Sequence, residues 1–484
     1  MITMKLFPDQ PFAEIEEFLG TLTLGDLVVP DLHCVVQFNQ AHNDAIKGKI
    51  LGNSSTYDRV ANLFLMQGPP LKLSSVSATE LATRYTSDEL YFERIARPYA
   101  GLDRSPEAVG VVAEFHLGDF SMTTQRAAME TKQRKVTFLL TGPTVAWDAK
   151  CAAMNSRTGE REIVYSNRKL ELQDQTTFEI ETLPWFFHAT SRDPQIHSLE
   201  TQVLSVQFTT LVAASVMSDE QLVDQARSIM DDLVLLASFV SRRWTAWYAF
   251  LIETPTIVRW HLKRTRECSA KEPKHHETVL PPGTMRSFLA KAFPLLRSLR
   301  AQDFNLAMPI VYSVAGSEAR YDEEQFTSLF LSLERIKDLF ARSDRSYAKV
   351  LDDTDFFSLS RNICQLVRQS VSSKARRKLI YEKLPEINRP SLRSVLDALL
   401  QKQVIKWTDL YPANAKFSLI KTRDKLFHSS ESVDHDQLIH ELDRLRALVD
   451  RLLLSLLGSR DFSRAPIDFI RDQITSPSQN GNAA

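Results

Sequence analysis

Glycine is scarce in this chain, 14 among 484 residues, or about 3% where average usage is roughly 7%. Neither GxxxxGK[ST] nor GxGxxG occurs, which excludes the glycine-rich loops that cradle nucleotide phosphates. Cysteine is rarer still. Cys34, Cys151, Cys268 and Cys364 stand singly with no CxxC pair, so neither a zinc knuckle nor a disulfide framework is expected, and a reducing cytoplasm fits. Long apolar runs are missing as well. The most apolar, 233–240, is followed by Arg242 and Arg243 and falls far short of the roughly 20 residues that cross a bilayer. The first twenty residues carry Asp9, Glu14, Glu16 and Glu17, which is no secretory signal. No membrane partner is expected. A net charge of −1 supplies no overall field, so any anion site must be local.

What remains is an ordinary globular composition, 43% hydrophobic and 25% charged, on a chain long enough for two to four domains. Segments 59–66, 110–117, 134–140, 177–182 and 203–212 are rich in β-branched and aromatic residues, and several alternate with period two. Turn signals such as Gly68-Pro-Pro70 and Thr141-Gly-Pro143 separate them. Residues 1–215 therefore read as an antiparallel, sandwich-like β-rich domain. Arg192 and His197, interrupted by Pro194, read as loop residues.

From Ser218 the period becomes 3.6, with acidic residues in the first turn of a helix beginning near Asp219. The aromatic and basic stretch 242–248 reads as core at the helix end rather than as an RNA-stacking patch. Residues 256–266 alternate basic positions and read as an edge strand guarded by charge. A polar stretch, 267–282, reads as a linker; its Cys268, His275 and His276 lack a third and fourth partner for a metal. Residues 216–283 thus form a helix, strand and linker connector. Helical periodicity then holds from 284 to about 470, and a tail, 471–484, is disordered by composition.

Within that helical region, Phe326, Leu329, Phe330, Leu333, Ile336 and Phe340 make one stripe over 322–340. Leu438, Leu442, Leu445, Val449, Leu452 and Leu456 make another over 434–457, with Asp434 and Gln437 as a capping pair and Gly458 as the stop. A helix over 356–384 carries the basic run Lys374-Ala-Arg-Arg-Lys378, and Pro390 opens one over 391–403 at its first turn. Such neighbours make a bundle. The fold class is α+β and multidomain, with a β-rich N-terminal part and an all-α C-terminal part.

The chemistry concentrates on a helix expected over 413–429. Leu419, Ile420, Leu426 and Phe427 flank Arg423 at three and four residues, which sets its guanidinium within an apolar face. A fixed cation there needs a carboxylate, a neighbouring subunit or a phosphate. His428 follows five residues on, and imidazole trades protons near neutral pH. Together an Arg and a His suffice to cut an RNA phosphodiester: one moves a proton, the other stabilises charge on the phosphorane. Five helical residues are about 140° of rotation, so the two groups need either a helix end near His428 or a two-fold pair of chains. Lys421, Lys425, Lys374, Arg376 and Arg377 are the candidate RNA contacts. The opposing reading pairs Arg423 with an acid such as Glu334 and makes His428 a helix cap.

Arg423-Asp424 through His428, inside a C-terminal bundle, resembles the Arg-x4-6-His signature of the HEPN superfamily, in which a polar residue commonly follows the Arg. The run 322–340 with Leu333-Glu334-Arg335, preceded by Tyr312-Ser-Val-Ala-Gly316, resembles the Apea-like branch, and the likeness spans roughly 284–460. It implies an endoribonuclease that needs no metal or other cofactor and acts as a homodimer. Arg423 and His428 would be catalytic, with Asp424 in support. It further implies a role in defence against phage, with RNA, transfer RNA included, as substrate, a phage-derived trigger, and a sensing or regulatory β-rich part. A reading from another class keeps the bundle as a dimerisation or nucleotide-binding module and makes the β-rich part a binder of protein or glycan.

Overall fold

The computed structural model describes residues 13–39, 46–65, 70–75, 83–98, 109–125, 133–143, 150–151, 153–154, 163–164, 176–180, 183–192, 203–212, 215–263, 278–280, 284–344, 347–405, 409–411, 418–428 and 434–459. The chain divides into two units, one made of 1–234 with 244–272 and the other of 235–243 with 273–484. The first is built on β-sheet and the second on helices, so the α+β division expected from periodicity holds.

In the first unit six antiparallel strands close on themselves. They are β1 (Ala13–Leu24), β2 (Leu27–Asn39), β3 (Ile46–Gly52), β4 (Leu71–Ser75), β5 (Arg84–Ile95) and β6 (Gly110–Leu117). The ring runs β5, β4, β1, β2, β3, β6 and returns to β5. The start of β5 also pairs with β7 (Asp119–Gln125). From β7 the sheet continues through β16 (Ile257–Lys263), β15 (Ala246–Glu253), β8 (Arg134–Thr141), β14 (Val203–Thr210), β13 (Leu183–Arg192) and β12 (Thr176–Ile180). Short β9 (Lys150–Cys151) lies parallel on β13, and β10 (Ala153–Met154) pairs with β11 (Ile163–Val164). A barrel running into an open sheet therefore replaces the expected sandwich; closure removes two edges that a sandwich would leave.

Alternation explains the barrel's interior. In β3, Ile46, Gly48 and Ile50 are buried while Lys47 and Lys49 are exposed, the period-two signature of a strand with one covered face. Gly48 lies directly opposite Phe115, and a Cβ there would overlap that ring, so this strand needs glycine for close approach. Leu22, Leu32, Val36, Leu73, Phe115 and Phe120 fill the core. Among them the Cys34 thiol, wholly buried, is pushed up to about 12 by desolvation, which makes it an inert apolar filler.

Four expectations for this unit are corrected. Residues 59–65 belong to a helix, α1 (Ser54–Leu65), capped by Asn53, whose side chain accepts from the amides of Ser55 and Thr56 at 3.1 and 3.2 Å, and Met66 falls outside the described residues. Val60 and Leu63, three residues apart, are its buried pair, a helical spacing that β-branched and aromatic composition masked. The strand at 257–263 is no edge, since β15 and β7 flank it. Finally, 216–283 is not a separate connector: β15 and β16 insert into the sheet, and α2 (Asp219–Ser241) contributes its first residues to this unit and 235–241 to the other. Arg192 ends a strand rather than lying in a loop, and His197 falls outside the described residues.

The second unit contains α3 (Met285–Ala301), α4 (Ala307–Glu318), α5 (Asp322–Ser343), α6 (Asp353–Ser370), α7 (Lys374–Ile387), α8 (Leu392–Lys402), α9 (Ser418–His428) and α10 (His435–Leu456). Each apolar residue named for the α5 stripe is buried, and so are Leu438, Leu442, Leu445, Val449 and Leu452 on α10. Asp434 caps α10 by accepting from the amide of Gln437 at 3.3 Å, and Gly458, at φ +74°, follows its end. The single helix expected over 356–384 is two. Val371 is extended, and Ser373 restarts the chain by capping Arg376 N at 3.4 Å. Likewise Ser391 caps α8 and Pro390 precedes the cap instead of occupying the first turn. The expected linker residues Cys268, His275 and His276, and the tail, lie outside the described residues.

Candidate functional site

Helix α9 packs against α5 and α10. Its buried line runs through Leu419 and Thr422, with Leu426 half-buried. These positions are three and four apart, so the line is one helical face. Arg423 sits at the margin of that face, not at its centre: its side chain keeps 33% exposure. That corrects the placement expected from its apolar neighbours.

Around the guanidinium the surroundings are aromatic and acidic. Arg423 Nη1 donates to Asp424 Oδ1 at 2.8 Å. Its carbon lies 5.8 Å from the ring centroid of Phe330 on α5 and 5.8 Å from that of Phe427, within reach of both π faces. Phe330 is buried at 2% exposure and gives a rigid wall, whereas Phe427 is 46% exposed. The aromatic wall was hidden from sequence reasoning, because Phe330 reads there only as one member of a core stripe.

His428 is the last residue of α9, and its side chain lies outside the described residues, as do 412–417 and 429–433. Lys421 is exposed and Lys425 half-buried. The structure thus joins Arg423 and Asp424 in direct contact.

The second set of cations lies on α6 and α7. Lys374 and Arg377 line a cleft of about 770 Å³ together with Arg368, Ala375, Lys378 and Tyr381. Arg376 is not among these residues. Lys378 belongs to the expected basic run 374–378, while Arg368 and Tyr381 add to it, and the signal for them is the absence of any Asp or Glu from Phe356 to Tyr381.

On α10 a belt of buried ions was also missed. Arg451 donates two bonds to Asp409, at 2.9 and 2.7 Å. Arg446 donates to Gln325 Oε1 at 2.7 Å, Arg444 to Glu441 at 2.9 Å, and Arg242 pairs with Asp450. Burial lowers the Arg446 pKa, helped by the cation of Arg242 and opposed by Asp450 and Asp443. Burial raises the Asp443 carboxyl against the pull of Arg446, His440 and Arg242. Such reciprocal pairing reads as structural, because removing either member would strand a buried charge.

Among the described residues no three His, Cys, Asp or Glu side chains converge as a metal site would require, and no helix is long and apolar enough to cross a membrane. No family model, curated protein or solved structure matches the chain.

Proposed function

We propose that this protein is a metal-independent endoribonuclease of HEPN type that acts as a homodimer, with Arg423 and His428 as the catalytic pair and Asp424 in support. The observation that carries the proposal is Arg423 itself: a part-exposed cation, oriented by Asp424 and walled by Phe330 and Phe427, five residues before a helix-terminal histidine. A planar guanidinium held this way offers paired donors to phosphate oxygens, and a histidine at the end of the same helix supplies the titrating group. Lys374, Arg377 and Lys421 would hold the RNA backbone. The β-rich unit would sense a trigger, phage-derived in the defence role that the resemblance implies, and the setting would be cytoplasmic.

The test compares wild type with His428→Ala and Arg423→Ala on purified RNA and in cells. Loss of general acid–base catalysis should cut the rate by about 10² to 10⁴, and wild-type products should carry 2′,3′-cyclic phosphate ends. Equal cleavage by wild type and both variants would overturn the assignment. A second reading is favoured by the Arg423 to Asp424 ion pair, which satisfies part of the guanidinium locally. In it the bundle serves dimerisation and the β-rich unit binds a protein or glycan; intact RNA in every arm, with dimers retained, is its outcome.

A further inference from the structure

In β16 the side chains divide between two faces of the sheet. Trp260 and Leu262 belong to the barrel core, so Arg259, His261 and Lys263 lie on the other face, the one that α2 crosses. Glu220, Arg227 and Asp231 stand at helical spacing on one flank of α2 and meet that face. Glu220 pairs with Arg259 at 3.5 Å, and Asp231 accepts from the indole Nε1 of Trp247 at 2.7 Å. The two cations that remain meet on one side chain. Lys263 Nζ lies 3.1 Å from a ring centroid of Trp247, and the guanidinium carbon of Arg227 lies 5.7 Å from one. Among the described residues neither of them makes an ion pair.

Placing two cations against one indole is costly, because a ring face offsets only part of their repulsion and desolvation. Trp247 is 2% exposed and gives a fixed wall. Lys263 is half-buried, whereas Arg227 and Asp231 are exposed, so solvent reaches the amine along the flank of α2. Burial, opposed by Asp231 and aided by Arg227, brings the Lys263 pKa down to about 8. More of the amine is therefore unprotonated near neutral pH than in an ordinary lysine. An unprotonated lysine beside a second cation is a setting for attack on a carbonyl carbon.

Arg227 supplies the handle that such a carbonyl compound would use, a planar fork of donors for a carboxylate. In a 2-oxo acid the carbonyl and the carboxylate sit on adjacent carbons, so one small molecule can meet both side chains. The product suits the wall as well: a protonated imine keeps its positive charge against the indole face, where an acyl group on Nζ would remove it. We propose that Lys263 binds a small 2-oxo acid as a Schiff base, with Arg227 holding its carboxylate. The Nζ lone pair attacks the carbonyl carbon and the π pair moves to oxygen, which takes up the two protons that nitrogen loses and departs as water. From ammonium and ketone the products are protonated imine and water, so the step needs no oxidant and no net proton. Asp231, whose charge already acts on Lys263, then faces the iminium. This site stands apart from the ribonuclease reading, because every group in it lies in the first unit.

Borohydride trapping on the full chain tests the proposal. Pyruvate followed by borohydride should fix a single secondary amine, and peptide mass spectrometry should place it on Lys263. Wild type should take up pyruvate at far lower concentration than acetone, which has the ketone without the carboxylate. Lys263→Arg keeps a cation against Trp247 and should lose the adduct with its circular dichroism unchanged. Arg227→Gln should raise the pyruvate concentration for half-labelling about tenfold or more, since a charged hydrogen-bond donor is lost, and should leave labelling by acetone as it was. No adduct on Lys263, labelling shared among exposed lysines, equal labelling by pyruvate and acetone, or an Arg227→Gln protein that takes pyruvate as wild type does would each overturn the proposal.

Discussion

His261 links proton binding to the folding of the first unit. Its Nδ1 shares a 2.8 Å hydrogen bond with Ser121 Oγ, and its ring stacks on Phe250 at 4.8 Å. Burial pushes the imidazole pKa down to about 4, with Asp119 opposing and Arg227, Lys263 and Arg259 adding to the shift. The unfolded chain holds such a group near 6.5. The native state therefore keeps His261 neutral, while the unfolded state takes up a proton below about pH 6.5. The stabilisation is full above that pH and fades as the pH falls toward 4, by an amount on the order of 2 to 3 kcal/mol. Hydrogen exchange of the β16 amides at pH 7 and 4.5 should show this loss in wild type and a smaller one in His261→Gln. Parallel losses in the two proteins would show that other groups carry the acid sensitivity.

At the scale of elements, the junction of β8 with α2 depends on Arg134. It is almost wholly buried, donates to Met217 O at 2.7 Å and pairs with Asp219 in the first turn of α2. Ser218 and Gln221 cap the same turn reciprocally, at 3.2 and 2.9 Å. Arg134→Ala should cost about 3 to 5 kcal/mol, since Asp219 and the Met217 carbonyl then lose a charged donor. Chemical denaturation of the variant measures it, and a loss below about 1 kcal/mol would assign the junction to the cap alone. Neither this arginine nor the α10 belt was legible in the sequence, because a buried ion reads like any surface charge until its partner from a distant element is known. Long apolar stripes were legible: α5 buries every side chain its spacing marks, and α10 all but Leu456, which is half-buried. Local breaks were not. Val371 to Ser373 parts α6 from α7 through backbone angles that no periodicity records, and α1 reads as a strand because its aromatic and β-branched residues suit either state. Arg423 shows the same limit: its spacing put it on the apolar face, but only packing against α5 showed it to be at the margin beside Phe330.

For the molecule as a whole the decisive fact is charge distribution. A net charge of −1 offers RNA no general attraction, yet Arg361, Arg368, Lys374, Arg376, Arg377 and Lys378 occur between Phe356 and Tyr381 without one Asp or Glu. Four of them line one cleft. If single-stranded RNA is gripped there, each neutralised phosphate releases counterions, so log affinity falls against log salt with a slope near −0.7 per contact, or about −3 for four. In His428→Ala, used so that the strand stays whole, that slope should be measurable by fluorescence anisotropy between low and physiological salt. Adding Lys374→Glu and Arg377→Glu should reduce it to about −1.4, the two contacts that remain, whereas Lys421→Glu should change it by about one contact at most. A slope that stays steep after both cleft reversals would move the RNA path off the cleft and onto other cations of the chain, since a near-neutral protein can hold a polyanion only where its positive charges are locally unbalanced.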